Sequence, residues 1–144
     1  MACFPPVTRR LGLGAVILVA LAGCKPQVKL VPATGTFTIG GKPAGNITLQ
    51  FMPDTMQGNA GPTSYATTDA EGKFTLRTYD NREGAVPGAH VVTLVDLDEE
   101  RPAQGSAPTR APRLDAKYSM AASAPRVTVG EGQPLAIDVP PPGR

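Results

Sequence analysis

His90 is the residue of this sequence best suited to acid–base or metal chemistry, because histidine titrates near neutral pH and is a common metal ligand. It is the only histidine among the 144 residues. A catalytic zinc commonly needs three protein ligands including histidines, and a histidine-based triad needs a nearby nucleophile, such as a serine in a nucleophile elbow. No serine stands in that context: the chain has Ser64, Ser106, Ser119 and Ser123. We therefore expect His90 to be a structural strand residue and the chain not to be an enzyme.

The segment Asp69-Ala70-Glu71-Gly72 places carboxylates at alternate positions, an arrangement that can bind calcium. A calcium loop needs further oxygen ligands at fixed positions and a closing glutamate, but Thr75 and Arg77 follow here. Asp and Gly also suit the first and last positions of a type I turn. We predict a plain β-turn, and the sequence predicts no metal site and no cofactor.

The N-terminal residues have the order of a secretory signal. Arg9 and Arg10 precede twelve uncharged, mostly apolar residues, Leu11 to Ala22, and the run then stops at Gly23-Cys24-Lys25-Pro26. A transmembrane helix needs about 20 apolar residues, so this run is too short to remain as a span. We predict a signal peptide over residues 1–23 that is cleaved from the mature chain.

The four residues Leu21-Ala22-Gly23-Cys24 resemble the lipobox of bacterial lipoproteins. The resemblance implies cleavage between Gly23 and Cys24, with diacylglyceryl and N-acyl lipid on Cys24 as the new first residue. Several acyl chains anchor a protein firmly, because each buried methylene contributes about 0.8 kcal/mol. The alternatives are a small apolar residue or half of a disulfide to Cys3, but Cys3 lies in the segment that would be removed. In such lipoproteins an aspartate directly after the lipidated cysteine favours retention in the inner membrane. This chain has Lys25 at that position, which favours the outer membrane.

The mature chain is expected to be electrically neutral. The net charge of +2 comes from Arg9 and Arg10, so twelve Lys and Arg residues face twelve Asp and Glu residues after cleavage. A neutral domain has no long-range field that would steer it to nucleic acid, and we exclude a nucleic-acid partner. A chain of this length forms one domain that buries roughly two-thirds of its surface on folding.

Short runs of alternating polar and apolar residues, separated by Gly and Pro, predict an all-β domain. We expect three hairpins: 34–39 with 46–52, 64–68 with 73–78, and 126–129 with 135–139. The longest apolar run, 89–97, is apolar on both faces, so we expect a central strand covered on both sides. About seven strands of this kind predict an antiparallel β-sandwich of two sheets.

Several motifs then resemble the carboxypeptidase regulatory-like domain, whose fold is transthyretin-like (prealbumin-like). They are Gly35-x-Phe37, Gly41-Lys42-Pro43-x-Gly45-x-Ile47-x-Leu49-x-Phe51-x-Pro53, Thr68-Asp69-Ala70-Glu71-Gly72-Lys73-Phe74, Val86-Pro87-Gly88-Ala89-His90-Val91-Val92 and Ala116-Lys117-Tyr118-Ser119. The resemblance implies a tether over residues 24–33, one sandwich over 34–140 and a tail over 141–144. It implies no peptidase activity, because in carboxypeptidases this module accompanies a separate zinc peptidase domain that nothing here resembles.

The connection over residues 98–116 is long and rich in Pro and Ala, and such connections are either functional or unstructured. Its charged residues could contact a partner, although an ordinary solvated loop is the alternative: Asp98, Glu99, Glu100, Arg101, Arg110 and Arg113. A sugar-binding face would use exposed aromatics, but we expect Tyr65, Tyr79 and Tyr118 in the core or at its rim.

These features together predict an exported, non-catalytic β-sandwich, anchored through its lipid to the bacterial cell membrane, that binds another envelope component. A small-molecule or glycan receptor is the alternative. It would need a pocket with convergent polar groups.

Overall fold

The computed structural model describes residues 27–99 and 111–143, and in these ranges the chain forms nine β-strands and two short 3₁₀ helices. The predictions for residues 1–26, including Gly23 and Cys24, concern a segment outside the described residues. The strands are β1 (Thr34–Ile39), β2 (Lys42–Pro43), β3 (Ile47–Pro53), β4 (Ser64–Thr67), β5 (Lys73–Thr75), β6 (Arg77–Thr78), β7 (Gly88–Asp96), β8 (Arg126–Val129) and β9 (Leu135–Val139). The 3₁₀ helices span Thr55–Gln57 and Ala116–Ser119.

The first sheet is built around β1. Strands β2 and β5 pair antiparallel with successive parts of one edge of β1, and β9 pairs with the other edge in parallel, with Gly35 opposite Leu135. The second sheet is antiparallel throughout, in the order β6-β4-β3-β7-β8. The prediction of a mostly β chain with two sheets is therefore confirmed.

One hydrophobic core joins the two sheets. Alternate residues of the strands point into it, as the polar–apolar alternation requires. The ring of Phe51 on β3 lies 6.1 Å from that of Phe74 on β5, so these side chains meet across the sheets. Val31 and Ala33, from the segment expected to be a tether, are also core residues, as are Leu114 and Tyr118 near the end of the long connection.

The first and third predicted hairpins are wrong as pairings, although their strands form, and the second is confirmed in part, since β4 pairs with β6. β1 and β3 lie in different sheets, and so do β8 and β9. After β1, Gly40 and Gly41 take positive φ angles of 57° and 76°, which returns the chain for only two paired residues. The next turn, with Asn46 at φ 59°, then carries the chain across to the second sheet.

The segment 73–78, which was predicted to pair with β4, is divided between the two sheets. β5 pairs with β1 in the first sheet, and β6 pairs with β4 in the second, so the chain changes sheet at the buried Leu76. The expectation that the central strand β7 is covered on both sides holds only in part. Val92 and Leu94 face the core, and on the other face Thr93 is buried but Val95 is 49% exposed.

The strand directions give the domain two distinct ends. At the entry end the described chain begins, and Val31 forms a bridge with Ala85; β3 ends and β7 begins there. At the far end, strands β1 and β7 end and strand β3 begins. The turns 40–46 and 68–72 lie close together at this end, because the backbone N–H of Asn46 donates to the carbonyl of Thr68. We use these two names below.

Candidate functional site

A cluster of charged and polar groups at the far end holds the two stems of the long connection together. The Nε of Arg113 donates to Asp96 Oδ2 at 2.7 Å, and its Nη2 donates to Asp98 Oδ2 at 3.0 Å and to the carbonyl oxygen of Gly45 at 3.2 Å. Asn46 Nδ2 donates to Asp98 Oδ1 at 3.0 Å. These five residues form what we call the far-end cluster, and they join strand β7, the turn before β3 and the returning chain.

The electrostatics of the far-end cluster centre on Asp96. Its side chain is only 2% exposed, and a buried carboxylate is costly without a paired cation. Hydrogen bonding to Asp96 raises the pKa of Arg113 above its ordinary value, against the opposing effect of burial. Arg113 is therefore held as a structural cation.

The residues predicted to contact a partner have different positions. Asp98 and Arg113 are brought together in the far-end cluster, and Glu99 is exposed beside it. Glu100, Arg101 and Arg110 lie outside the described residues. The participation of Gly45 and Asn46 was not predicted from the sequence. A signal for Asn46 was available, because Asn between Gly and a strand is typical of a residue with positive φ at a sharp turn.

His90 is enclosed in the core at the other half of β7. Its Nδ1 donates to the carbonyl of Gly88 at 3.0 Å, its ring lies 6.0 Å from that of Phe51, and its Nε2 is buried without a hydrogen-bond partner among the described residues. Burial lowers the pKa of His90, and the bond to Gly88 opposes this only in part. A neutral imidazole without solvent access is poorly placed for acid–base chemistry.

The Asp69 carboxylate is occupied by the turn that it closes. Its Oδ1 accepts the backbone N–H groups of Glu71 at 3.1 Å and Lys73 at 2.7 Å, and Gly72 N–H donates to the Asp69 carbonyl. This is the predicted β-turn. In residues 27–99 and 111–143 no group of three His, Cys, Asp or Glu side chains is arranged to hold a metal ion.

An open groove of about 800 Å³ crosses the first sheet beside Gly35. A Cβ at Gly35 would lie 2.6 Å from the Phe74 ring and 2.4 Å from the Leu135 carbonyl oxygen, so only glycine allows this close packing. The groove also carries hydroxyls and one ammonium group that make no hydrogen bond or ion pair with the residues the structure describes: Thr34, Thr36, Thr75 and Lys73.

The comparisons with known proteins add no assignment. No protein-family model matches the chain, and neither a curated protein nor a solved structure does. Among the described residues, no helix has the length and apolar character required to cross a bilayer. The functional proposal therefore rests on the sequence and on the arrangement of the two ends.

Proposed function

We propose that this chain is a lipid-anchored protein of the bacterial cell envelope that acts by contact and not by catalysis. The signal over residues 1–23 directs its export, and lipid on Cys24 holds it at the membrane, with the outer membrane favoured by Lys25. The observation that carries the proposal is that the entry end and the far end lie at opposite ends of the domain. The chain enters the domain at Val31, and the stem of the long connection, closed by Asp98 and Arg113, lies at the far end.

A domain anchored near its entry end presents the far end away from the membrane. The stem of the long connection, at Asp98 and Arg113, is then on the side that a second envelope component approaches. Its stem is rigidly held, because Arg113 contacts Asp96, Asp98 and Gly45 at once. A rigid scaffold that positions a long loop is the usual arrangement of a recognition surface.

The state of the candidate catalytic groups supports a role without catalysis. The one histidine is enclosed between Gly88 and Phe51. The carboxylates of Asp69 and Asp96 are already bound by groups of the chain itself. A reaction would have to start by breaking these contacts.

We further propose that residues 34–140 form a transthyretin-like domain of the carboxypeptidase regulatory-like type. The motifs that carry the resemblance lie in turns and strand ends of the domain. Gly41-Lys42-Pro43 forms the short return onto β1, Asp69 to Gly72 forms the turn before β5, and Val86-Pro87-Gly88 leads into the central strand. The two-sheet architecture is consistent with that family.

Replacement of Cys24 tests the anchor. In cells supplied with labelled palmitate, Cys24→Ser is expected to lose the label and to accumulate as precursor, because the thiol is the acceptor of the diacylglyceryl group. Cys3→Ser is the matched control and should be labelled and processed normally. Normal maturation of Cys24→Ser would contradict the proposal.

Crosslinking in cells tests the contact role. The intact lipidated chain is compared with a chain lacking residues 103–112, which keeps both Asp98 and Arg113. We expect a specific crosslinked envelope protein that is lost with the deletion. If the same partner remains, a sheet edge such as that of β9 is the contact surface, because an exposed edge can add a strand from a partner.

The groove beside Gly35 favours a second candidate function, a glycan or small-molecule receptor. Its lining combines unpaired hydroxyls and the ammonium group of Lys73 with apolar Phe74 and Leu135. Such a combination is typical of ligand sites.

A further inference from the structure

The two most exposed large apolar side chains of the described residues both lie at the entry end. Met56 and Tyr79 are each 91% exposed. Tyr79 was expected in the core or at its rim, and that expectation is wrong. Single exposed apolar residues are common on protein surfaces, so the exposure alone implies nothing. Their shared position at the end where the chain enters is the informative feature.

Backbone contacts fix both residues at this end. Met56 lies in the 3₁₀ helix that follows the end of β3, and Asn59 Nδ2 of the same loop donates to the carbonyl of Ala89 at 2.7 Å. Tyr79 lies in the turn after β6, where Thr78 N–H donates to the Arg82 carbonyl at 2.9 Å. Both side chains therefore project from hydrogen-bonded loops at the entry end.

The charged side chains of the entry end neutralise one another. Each cation among the described residues of this end has an acidic partner, in the pairs Lys29–Glu131, Arg77–Glu83, Arg82–Asp80 and Arg126–Asp54. The end thus carries equal numbers of positive and negative groups. A surface without net charge can approach a bilayer without strong electrostatic repulsion.

The length of chain before the domain limits how far this end can stand from a lipid anchor. Val31 is the first core residue and lies seven residues after Cys24. Seven extended residues span at most about 25 Å. A domain of this size has a radius of gyration of about 13 Å, so the connection is no longer than the domain is wide.

We propose that the entry end is a lipid-contacting surface in which Met56 and Tyr79 enter the headgroup region of the bilayer that holds Cys24. This inference rests on the proposed lipid anchor. Tyrosine is enriched at membrane interfaces, because its ring is apolar and its hydroxyl is polar. Methionine is a flexible apolar side chain that adapts to irregular surroundings. The contact fixes the orientation of the domain, with the far end directed away from the bilayer.

The chain contains no tryptophan, so one introduced Trp reports on a single position. The test uses three variants of the lipidated protein, Met56→Trp, Tyr79→Trp and, as the matched control at the far end, Lys42→Trp. All three sites are exposed, so none is expected to disturb the core. Each protein is reconstituted into phosphatidylcholine vesicles whose acyl chains are either ordinary or brominated, since bromine quenches a nearby indole.

We expect Met56→Trp and Tyr79→Trp to lose roughly half of their emission in brominated vesicles, because side chains at such surfaces enter to about 5–10 Å. Lys42→Trp should emit equally in both. Equal emission from all three variants, or quenching of Lys42→Trp as strong as that of the others, would overturn the inference. Flotation of each protein with the vesicles is measured first. Failure to float overturns the lipid anchor and this inference together, whereas flotation without selective quenching overturns the inference alone.

Discussion

The Nε of Arg113 lies 2.7 Å from Oδ2 of Asp96, although the two residues are 17 positions apart and the long connection separates them. Asp96 is the last residue of the central strand β7, and its carboxylate is buried. A buried carboxylate requires a paired cation or hydrogen-bond donors. The chain supplies that cation from the returning end of the connection, so the closure of the loop and the stability of β7 are coupled.

Replacement of this cation should destabilise the domain. Arg113→Ala removes the cation that pairs with the buried Asp96 carboxylate, which still accepts the backbone N–H of Asp98, and we expect the free energy of unfolding to fall by about 2 kcal/mol. This is less than the 3–5 kcal/mol of a fully buried pair, because the Arg113 side chain keeps 28% of its exposure. Urea unfolding of residues 25–144, followed by circular dichroism, measures the change.

Arg82→Ala is the control for this prediction. Arg82 pairs with Asp80, but both side chains are largely exposed, so the loss of this pair should change stability little. If Arg113→Ala and Arg82→Ala have the same small effect, the far-end cluster does not hold the stem of the connection.

The sequence predicted the strands better than their partners. The alternation of polar and apolar residues along 34–39 and 135–139 identifies two strands, but it does not show which neighbouring strand each one pairs with. β1 and β9 pair in parallel across about one hundred residues of chain, with Phe37 opposite Ile137. Short turns suggested hairpins instead. Gly40, Gly41 and Asn46, all with positive φ, let the chain cross between sheets within a few residues.

The candidate site was predictable only in part for a related reason. Charges at 98–101 and 110–113 marked the long connection as unusual, but the sequence could not show that Asp98 and Arg113 meet. Their contact depends on Asp96 being buried and on Gly45 offering its carbonyl from another turn. Such a cluster depends on the tertiary structure, and local patterns do not specify it.

His90 should make the stability of the domain depend on pH. Burial keeps the folded-state pKa of His90 below 6.5, its ordinary value, so the unfolded chain binds a proton more readily than the folded chain does. The contribution to stability is complete above pH 6.5 and is lost as the pH falls from there through the folded-state pKa. We expect the free energy of unfolding to decrease as the pH is lowered from about 7.5 to 5.

His90→Leu provides the comparison, because leucine fills similar space and cannot titrate. The slope between pH 7.5 and 5 should largely disappear in this variant, whatever its overall stability. For the carboxyl of Asp54, hydrogen bonds from Arg126 and Gln57 outweigh burial and lower the pKa below 3.8, so its effect falls outside this range. An unchanged slope in His90→Leu would show that another group titrates.

Replacement of Gly72 by alanine should destabilise the domain much more than the same replacement at Gly132, which has a similar φ angle. The φ of Gly72 is 73°, and an added Cβ would lie 2.3 Å from the carbonyl oxygen of Phe37. Gly132 has a φ of 70°, with no atom within 4 Å of an added Cβ. We expect Gly132→Ala to cost about 1 kcal/mol through left-handed backbone strain alone, and Gly72→Ala to cost about 3 kcal/mol, since the backbone must also move.

Thermal unfolding of both glycine variants measures this difference. The comparison cancels the strain that the two share, so the remainder reports the contact between the turn 69–72 and β1. Equal losses in the two variants would contradict the close packing of this turn against Phe37.

The groove beside Gly35 gives the receptor alternative a direct test. Lys73 is the one cationic side chain among the described residues that line it, and its ammonium group forms no ion pair with them. The Asp69 carboxylate also lines the groove, but its Oδ1 already accepts the backbone N–H groups of Glu71 and Lys73. If the groove binds a saccharide through Lys73, an acidic one should therefore bind best. We expect tetragalacturonate to raise the melting temperature of residues 25–144 saturably, by about 4 °C at tenfold excess over its dissociation constant, and neutral chitotetraose to do less.

Lys73→Ala should abolish the shift, whereas Lys42→Ala, which removes an exposed lysine outside the groove, should retain it. A shift that survives Lys73→Ala would place the binding elsewhere, and no saturable shift with either sugar would leave contact with an envelope protein as the function to pursue.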